Sequence, residues 1–392
     1  MKKLTILALH LGYGGIENAV SSLANNLCNT YDIEIVSVYK LYDKPGYNLN
    51  DKIKITYLIN SDIAIRVDKY KKILKKGKII KLFKVLFGDY KLNIFRLIGD
   101  VYTSVKTLND KKNLLIEYIK NMKTDIVIST RSEHNILVSK YAKDCKKIAW
   151  EHNHGDIKYI NDVIDSCYNI DSLVLVSNEL FNLYKENNKN NKLKLFYVPN
   201  VIDSVPSKTS KLDNKKLVSV GRLVEVKGFD DMIDVMKLVH EKDKDVTLEI
   251  IGDGDLYDHL NQKIKDSNLD GVIKLAGFKD KEYINNSLID SSLFLLTSHS
   301  ESFGIVVIEA MAAGVPTVAF SSAEGLRELI NKDNGILIDN RNINDMASKI
   351  IELLNDRKLL KSMGKHSYED SLCYTSDKVY KLWLDVMNDK NE

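Results

Sequence analysis

Short apolar runs rich in β-branched residues recur along the chain, separated by segments of helical period. The first set is Leu4–Leu9, Ile33–Tyr39, Ile53–Ile59, Asp125–Ser129, Lys147–Trp150, Leu173–Val176 and Leu195–Val198. After a polar stretch the pattern restarts with Leu217–Val220, Val246–Ile251, Val272–Leu275, Leu293–Leu296, Pro316–Phe320 and Ile336–Ile338. Continuously apolar runs suit strands buried on both faces, where alternating runs would suit half-exposed ones. Strands alternating with helices imply βαβ units and parallel sheets. Two such series imply an α/β protein of two doubly wound domains. The break lies near Asn200–Lys216, where Pro199, Pro206 and a cluster of small polar and charged residues interrupt the pattern. The last stretch, Thr375–Met387, reads as an amphipathic helix with no strand after it.

Segment 64–112 does not fit the alternation. Tyr70, Ile73, Leu74, Ile80, Phe83, Leu86 and Phe87 recur at roughly helical spacing, with lysines at 71, 72, 75, 76, 78, 81 and 84 between them. From Arg66 to Lys112 there are fourteen Lys/Arg and four Asp, a local net of +10. The whole chain carries only +3, so the remainder sums to −7. The overall balance therefore demands no nucleic-acid partner, while the segment reads as a basic amphipathic helix suited to an anionic membrane surface. The alternative is a solvated helix packed on its own domain. Cys28, Cys145, Cys167 and Cys373 are scattered, with no paired spacing. That fits reduced thiols in a cytoplasmic protein better than a disulfide framework. The N-terminal Leu4–Leu9 run is too short for a signal peptide and reads as a buried first strand.

Four motifs carry candidate chemistry. Gly12-Tyr13-Gly14-Gly15-Ile16-Glu17 follows the first strand, where a glycine turn lets backbone N–H groups approach an anion. Glu17 stands where a dinucleotide fingerprint needs its third glycine, so that motif is excluded. A tight turn with no ligand is the alternative. Gly221-Arg222 and Lys227-Gly228 open the second series, placing two cations five residues apart that suit two phosphates of one diphosphate, with two solvated surface cations as the alternative. Asp253 and Asp255, within Gly252-Asp253-Gly254-Asp255, form an Asp-x-Asp triplet that a divalent metal would accept, but a strand-ending turn is the preferred reading. Glu301 and Glu309 lie eight apart around Gly304. A helix starting near Ser302 would put Glu301 at its mouth and Glu309 two turns in. Backbone N–H groups at Phe303, Gly304, Ile305 and Val306 would then face a β-phosphate.

Together these residues carry a resemblance. Gly14-Gly15, Asn200 in Val198-Pro199-Asn200-Val201-Ile202-Asp203, Gly221-Arg222 with Lys227-Gly228, Gly252-Asp253-Gly254, Glu301 with Glu309 and Ala310-Met311-Ala312-Ala313-Gly314-Val315-Pro316, and Asn334-Gly335-Ile336-Leu337 are similar to the retaining glycosyltransferases of family 4. The match is dense in the second half and loose in the first. Val201 departs from a glycine common at that place, and Asp255 from a small residue or proline. The resemblance implies the GT-B fold: an acceptor-side Rossmann-like domain over 1–202, a nucleotide-sugar domain over 203–372, and a helix over 373–392 returning to the first domain.

By the same resemblance, Arg222 and Lys227 would neutralise the donor diphosphate and Gly15, beside Gly14, would approach it. Glu309 would hold the ribose, Glu301 the donor sugar, and Gly277-Phe278 would lie against the base. The turn Ser302, Phe303, Gly304, Ile305 and Val306 would cradle the phosphate. His152, in Trp150-Glu151-His152-Asn153-His154 after a first-domain strand, is the preferred residue for a donor hydroxyl or the acceptor proton, ahead of His154. Glu133 and His134 are a weaker pair for acceptor contacts. The implied reaction moves a sugar from a nucleotide-diphosphate donor, UDP favoured over GDP or ADP, to a glycan or lipid-linked acceptor. It needs no metal or other cofactor. A sugar-nucleotide epimerase on the same fold and a non-catalytic partner subunit are the competing readings.

Overall fold

In the computed structural model, residues 1–59, 110–202 and 205–388 are described. The basic stretch 64–109, with its expected helix around Tyr70–Phe87, lies outside the described residues, as does Asp203. All thirteen expected strands form. β1 (Lys3–His10), β2 (Asp32–Tyr39), β3 (Lys54–Ile59), β4 (Ile126–Ser129), β5 (Lys146–Glu151), β6 (Ser172–Leu175) and β7 (Lys194–Tyr197) make one sheet in the order 3-2-1-4-5-6-7. β8 (Lys216–Val220), β9 (Thr247–Ile251), β10 (Ile273–Gly277), β11 (Leu293–Leu296), β12 (Thr317–Phe320) and β13 (Gly335–Ile338) make a second in the order 10-9-8-11-12-13. The chain passes from one sheet to the other between Tyr197 and Lys216.

The pairings β1–β2, β1–β4, β2–β3 and β4–β5 are parallel, as are all five in the second sheet. Their residues explain why. β4 (Ile-Val-Ile-Ser), β11 (Leu-Phe-Leu-Leu) and β12 (Thr-Val-Ala-Phe) are buried at every position, as strands covered on both faces must be. In each sheet the first strand of the series, β1 or β8, lies between its successor and a strand reached by a crossover, so the order of connections reverses at its edge. Open α/β sheets bind ligands at such a point, beyond the carboxyl ends of the strands.

The chain divides into two compact units. One comprises Met1–Glu151, Asn161–Val174 and Asn188–Lys194, and the other His152–Ile160, Leu175–Asn187 and Leu195–Glu392. The core of the second gathers Phe229, Met232, Ile233 and Met236 from helix Phe229–Lys242, Leu248 and Ile250 from β9, Val318 and Phe320 from β12, and Met346 and Ile350 from helix Ile343–Asn355. The last helix, Ser376–Asn388, is counted with this unit. Among the described residues no helix is long and apolar enough to cross a membrane.

Two local expectations shift. β10 runs on to Gly277 through a register irregularity after Leu275. The helix expected from Ser302 begins at Ile305, because Gly304 takes a left-handed backbone (φ 87°) that a continuing helix cannot use. Glu301 therefore lies in the turn ahead of the helix, and Glu309 inside it.

Candidate active site

The second unit builds its site from turns at the carboxyl ends of β8 and β11. After β8 the chain runs through Gly221-Arg222 into a short 3-10 turn, Glu225–Lys227, then into Gly228 with φ 63°. A Cβ on Gly228 would sit 2.1 Å from the Thr297 carbonyl oxygen, so only glycine lets this turn touch the end of β11. The Thr297 hydroxyl donates to the Gly228 carbonyl at 2.8 Å, and the His299 N–H to the Val226 carbonyl at 2.8 Å. These bonds fasten the two turns together. The result is that Lys227 Nζ donates to Glu301 Oε1, which also accepts from Ser298 Oγ at 3.0 Å. Both side chains are mostly shielded, at 20 % and 12 % exposure, so the pair is of the charge-assisted, partly desolvated kind.

Arg222 is exposed on the same turn. Its loop is braced by Gly252-Asp253-Gly254: the Leu223 N–H donates to the Asp253 carbonyl at 3.0 Å, and a Cβ on Gly252 would sit 1.9 Å from the Gly221 oxygen. Asp253 Oδ1 accepts its own neighbour's N–H, that of Gly254, at 2.7 Å. The triplet thus acts as a strand-ending brace.

Glu301 and Ser302 are held from the other side by Gly325. Its N–H donates to the Glu301 carbonyl at 3.0 Å, and a Cβ there would meet the Ser302 oxygen at 2.4 Å. Phe303 is buried and packs edge-on to Tyr374, with ring centroids 5.6 Å apart. By helical geometry the N–H groups of Ile305 and Val306, in the first turn of helix Ile305–Ala312, have no partner four residues back. Glu309 is two-thirds along that helix, with Lys281 Nζ 3.8 Å from its Oε1. Lys281 opens helix Lys281–Ile289 just after Phe278, which is 53 % exposed beyond the left-handed Gly277.

Arg341 was not foreseen. Its guanidinium donates to the carbonyls of Thr297 (2.9 Å) and Ser298 (3.0 Å), to Ser322 Oγ (3.0 Å) and to the Asp231 carboxylate, and it lies over the Phe320 ring at 4.6 Å. One side chain so ties β11, β12 and helix Phe229–Lys242 behind the Lys227–Glu301 pair. Nothing in its local sequence, Asp339-Asn340-Arg341, distinguishes it from a surface cation.

The histidines separate. His152, at the end of β5, is buried at 8 % exposure. The His154 N–H donates to Ser302 Oγ at 2.9 Å, and its Nε2 lies 3.1 Å from Glu324 and 4.0 Å from Glu179. Burial, helped by the Glu324 charge, raises the Glu179 carboxyl above its ordinary range. Among the described residues this trio is the one group of His and carboxylate side chains close enough to share a cation. His134 is buried at 1 % and shut off from a soluble acceptor, while exposed Glu133 pairs with Lys111 at 3.3 Å.

In the first unit the glycine turn leads into helix Gly15–Leu27. Tyr47 clasps it, its hydroxyl 3.3 Å from the Gly14 N–H and 3.2 Å from the Gly14 carbonyl. Gly15 is exposed, and Glu17 pairs with His10 at 3.4 Å.

Comparison with known proteins agrees with this architecture. Residues 202–370 match the family model described as Glycosyl transferases group 1. An uncharacterized glycosyltransferase of Haemophilus influenzae is 27 % identical over 395 residues, covering 99 % of this chain and 100 % of that protein. The poly(ribitol-phosphate) alpha-N-acetylglucosaminyltransferase of Staphylococcus aureus is 32 % identical over 197 residues, 50 % of this chain and 39 % of that longer protein. Among solved structures, a mutant of S. aureus TarM in complex with fondaparinux, alpha-GlcNAc-glycerol and UDP superposes with a TM-score of 0.74 at 18 % identity, over 99 % of this chain and 100 % of that one. The fold is therefore GT-B, two Rossmann-like parallel-sheet units. The chain is a glycosyltransferase, with the group 1 match falling on the unit that carries Arg222, Lys227, Glu301 and Glu309.

Proposed function

We propose that the chain is a retaining family 4 enzyme that moves a hexosyl or N-acetylhexosaminyl group from a UDP-sugar to a glycan or lipid-linked acceptor of a cell-surface polymer. The observation that carries this reading is the contact of Lys227 with Glu301. A cation and a carboxylate brought together by adjoining turns are matched to a ligand with a charged diphosphate beside a hydroxylated ring. On donor binding Lys227 turns to the diphosphate with Arg222, and Glu301 to the sugar hydroxyls. Glu309, steadied by Lys281, takes the ribose, and Phe278 lies against the base. The turn from Ser302 to Val306 holds the β-phosphate, and His152 takes a donor hydroxyl.

The bond from the anomeric carbon to the phosphate oxygen breaks as the acceptor oxygen bonds to the same face. The acceptor proton passes to the departing diphosphate, whose growing charge the two cations stabilise. The UDP in the TarM complex supports the choice of base, and the alpha-linked product in the name of the S. aureus relative supports retention from an alpha-linked donor.

Thermal shifts with UDP, GDP and ADP test the base. UDP at 100 times its dissociation constant adds about 2.7 kcal/mol. Hydrolysis of UDP-sugars without acceptor, followed by NMR, tests the reaction: release of the sugar as its alpha anomer, surviving in EDTA, is expected. An epimer of the sugar in place of hydrolysis would establish the epimerase instead. The basic pattern of 64–112 supports a cytoplasmic enzyme docked on the inner face of the membrane. The protein should co-sediment with anionic liposomes and not neutral ones, and serine at positions 71, 72, 75 and 76 should release it.

A further inference from the structure

Arg341 is presented by a strained turn. β13 ends at Ile338, and the next helix begins at Ile343, capped by the Asn342 side chain, which accepts from the Asp345 N–H at 3.1 Å. Between them Asn340 and Arg341 both take left-handed backbones, with φ 54° and 52°. Asparagine tolerates that region. Arginine has no preference for it, and such a residue is held there only where its surroundings over-determine it. Here the surroundings are the acceptors of the guanidinium. Nη1 donates to the Ser298 carbonyl and to Ser322 Oγ, each at 3.0 Å, and Nη2 to the Thr297 carbonyl at 2.9 Å and to the Asp231 carboxylate. The side chain is only 20 % exposed. Four acceptors on two nitrogens suit a planar fork of fixed donors, whereas an ammonium offers three donors from a single point.

Two of these acceptors belong to residues that also hold the site. Thr297 gives its carbonyl to Arg341 and its hydroxyl to the Gly228 carbonyl, next to Lys227. Ser298 gives its carbonyl to Arg341 and its hydroxyl to Glu301 Oε1 at 3.0 Å, the same oxygen that Lys227 reaches. The guanidinium lies close behind the glycine of the turn: a Cβ on Gly228 would be 2.9 Å from Nη2. Arg341 thus reaches the charged pair through one residue on each side, Thr297 toward Lys227 and Ser298 toward Glu301. We propose that Arg341 is a positioning residue for sugar transfer, its fork fixing Thr297 and Ser298 so that Ser298 aims the Glu301 carboxylate at the donor sugar. This rests on the reading of Glu301 as the partner of that sugar. Loss of the fork should act unevenly. A bound diphosphate draws the flexible Lys227 to itself by charge, but it does not aim a carboxylate.

Hydrolysis of UDP-N-acetylglucosamine and UDP-glucose by the full chain, beside isothermal titration with UDP, tests it. Arg341→Lys keeps the charge but not the fork. It should lower kcat at least tenfold while UDP affinity stays within threefold. In a Glu301→Gln background the same change should cost less than threefold, because the carboxylate it positions is already absent. Asp231→Asn, which loosens one arm of the fork, should lower kcat about threefold and carries the test if Arg341→Lys does not fold. A further arm needs no donor: acetylation of the Lys227 amine by acetic anhydride, read by mass spectrometry, should quicken at least threefold in Arg341→Lys, while that of Lys365, 74 % exposed, stays unchanged. An unchanged kcat, the same loss in both backgrounds, or unchanged labelling of Lys227 overturns the proposal. Failure of the wild type to bind UDP or to hydrolyse either donor, with Lys227 labelling still quickened, would overturn the donor reading and leave Arg341 as the residue that holds the pair.

Discussion

The chain builds the same strand–glycine turn–helix unit twice, after β1 and after β8, at equivalent places in the two sheets. The turns then diverge. After β8 the glycines bring backbone against backbone: Gly228 against Thr297, Gly252 against Gly221. That contact delivers a lysine to a carboxylate. After β1 the glycine at 12 admits the ring of Tyr42 from the stretch after β2, and the turn carries Tyr13 where its counterpart carries cations. One framework thus holds a charged turn and an aromatic one, and the side chains on the turn decide which. Charge suits the half proposed to stabilise a leaving diphosphate.

The sharpest way to break this comparison is to remove the charge. Lys227→Ala should lower kcat/KM for donor hydrolysis by roughly 10²–10³, in kcat as well as KM, because the diphosphate charge grows in the transition state. Arg222→Ala should cost less, about tenfold, since Arg222 is exposed and its interactions are screened. Tyr47→Phe in the other turn should leave hydrolysis unchanged. Equal losses in all three would mean that the turns do not divide the labour. Next comes the backbone. Gly228→Ala should lose about 3 kcal/mol of stability, from left-handed strain plus collision with a carbonyl, whereas Gly12→Ala meets only the side chains of Tyr42 and His10 and should lose no more than about 1 kcal/mol. Urea midpoints at constant m would show it.

A smaller effect separates the two glutamates. Glu309→Gln should weaken free UDP by about tenfold, while Glu301→Gln should spare UDP and impair use of the intact donor. Isothermal titration with UDP beside hydrolysis kinetics distinguishes them, and equal loss of UDP affinity would refute the division. The smallest effect concerns acid sensitivity of the first unit. Burial, with the Arg131 and Lys111 cations adding, holds the His134 imidazole down to about 4. Its folded value is below the ordinary one, so the stability it contributes is present above pH 6.5 and is lost as pH falls toward 4. Between pH 7 and 5.5 this amounts to about 1 kcal/mol, which His134→Leu should abolish in melting curves taken at both values.

Much of the fold was legible because its strands are buried on both faces. Runs such as Leu293–Leu296 have no polar side to hide, so composition alone marks them, and the restart after Pro206 marks the second sheet. The glycine and charge motifs were legible for a related reason: turns at strand ends need particular residues at particular offsets. The helix at Ile305 was misplaced because a left-handed Gly304 looks in sequence like any other glycine. The contact of Lys227 with Glu301 joins residues 74 apart, and that of Arg341 with Asp231 residues 110 apart. No local pattern encodes such distances. They arise when parallel strands bring their carboxyl ends to one edge. Periodicity and turn chemistry, being properties of neighbours along the chain, determined the elements and their order. Which cation meets which carboxylate, and which tyrosines touch, was decided only when the sheets closed, because those contacts depend on side chains that share a place in space and none in sequence.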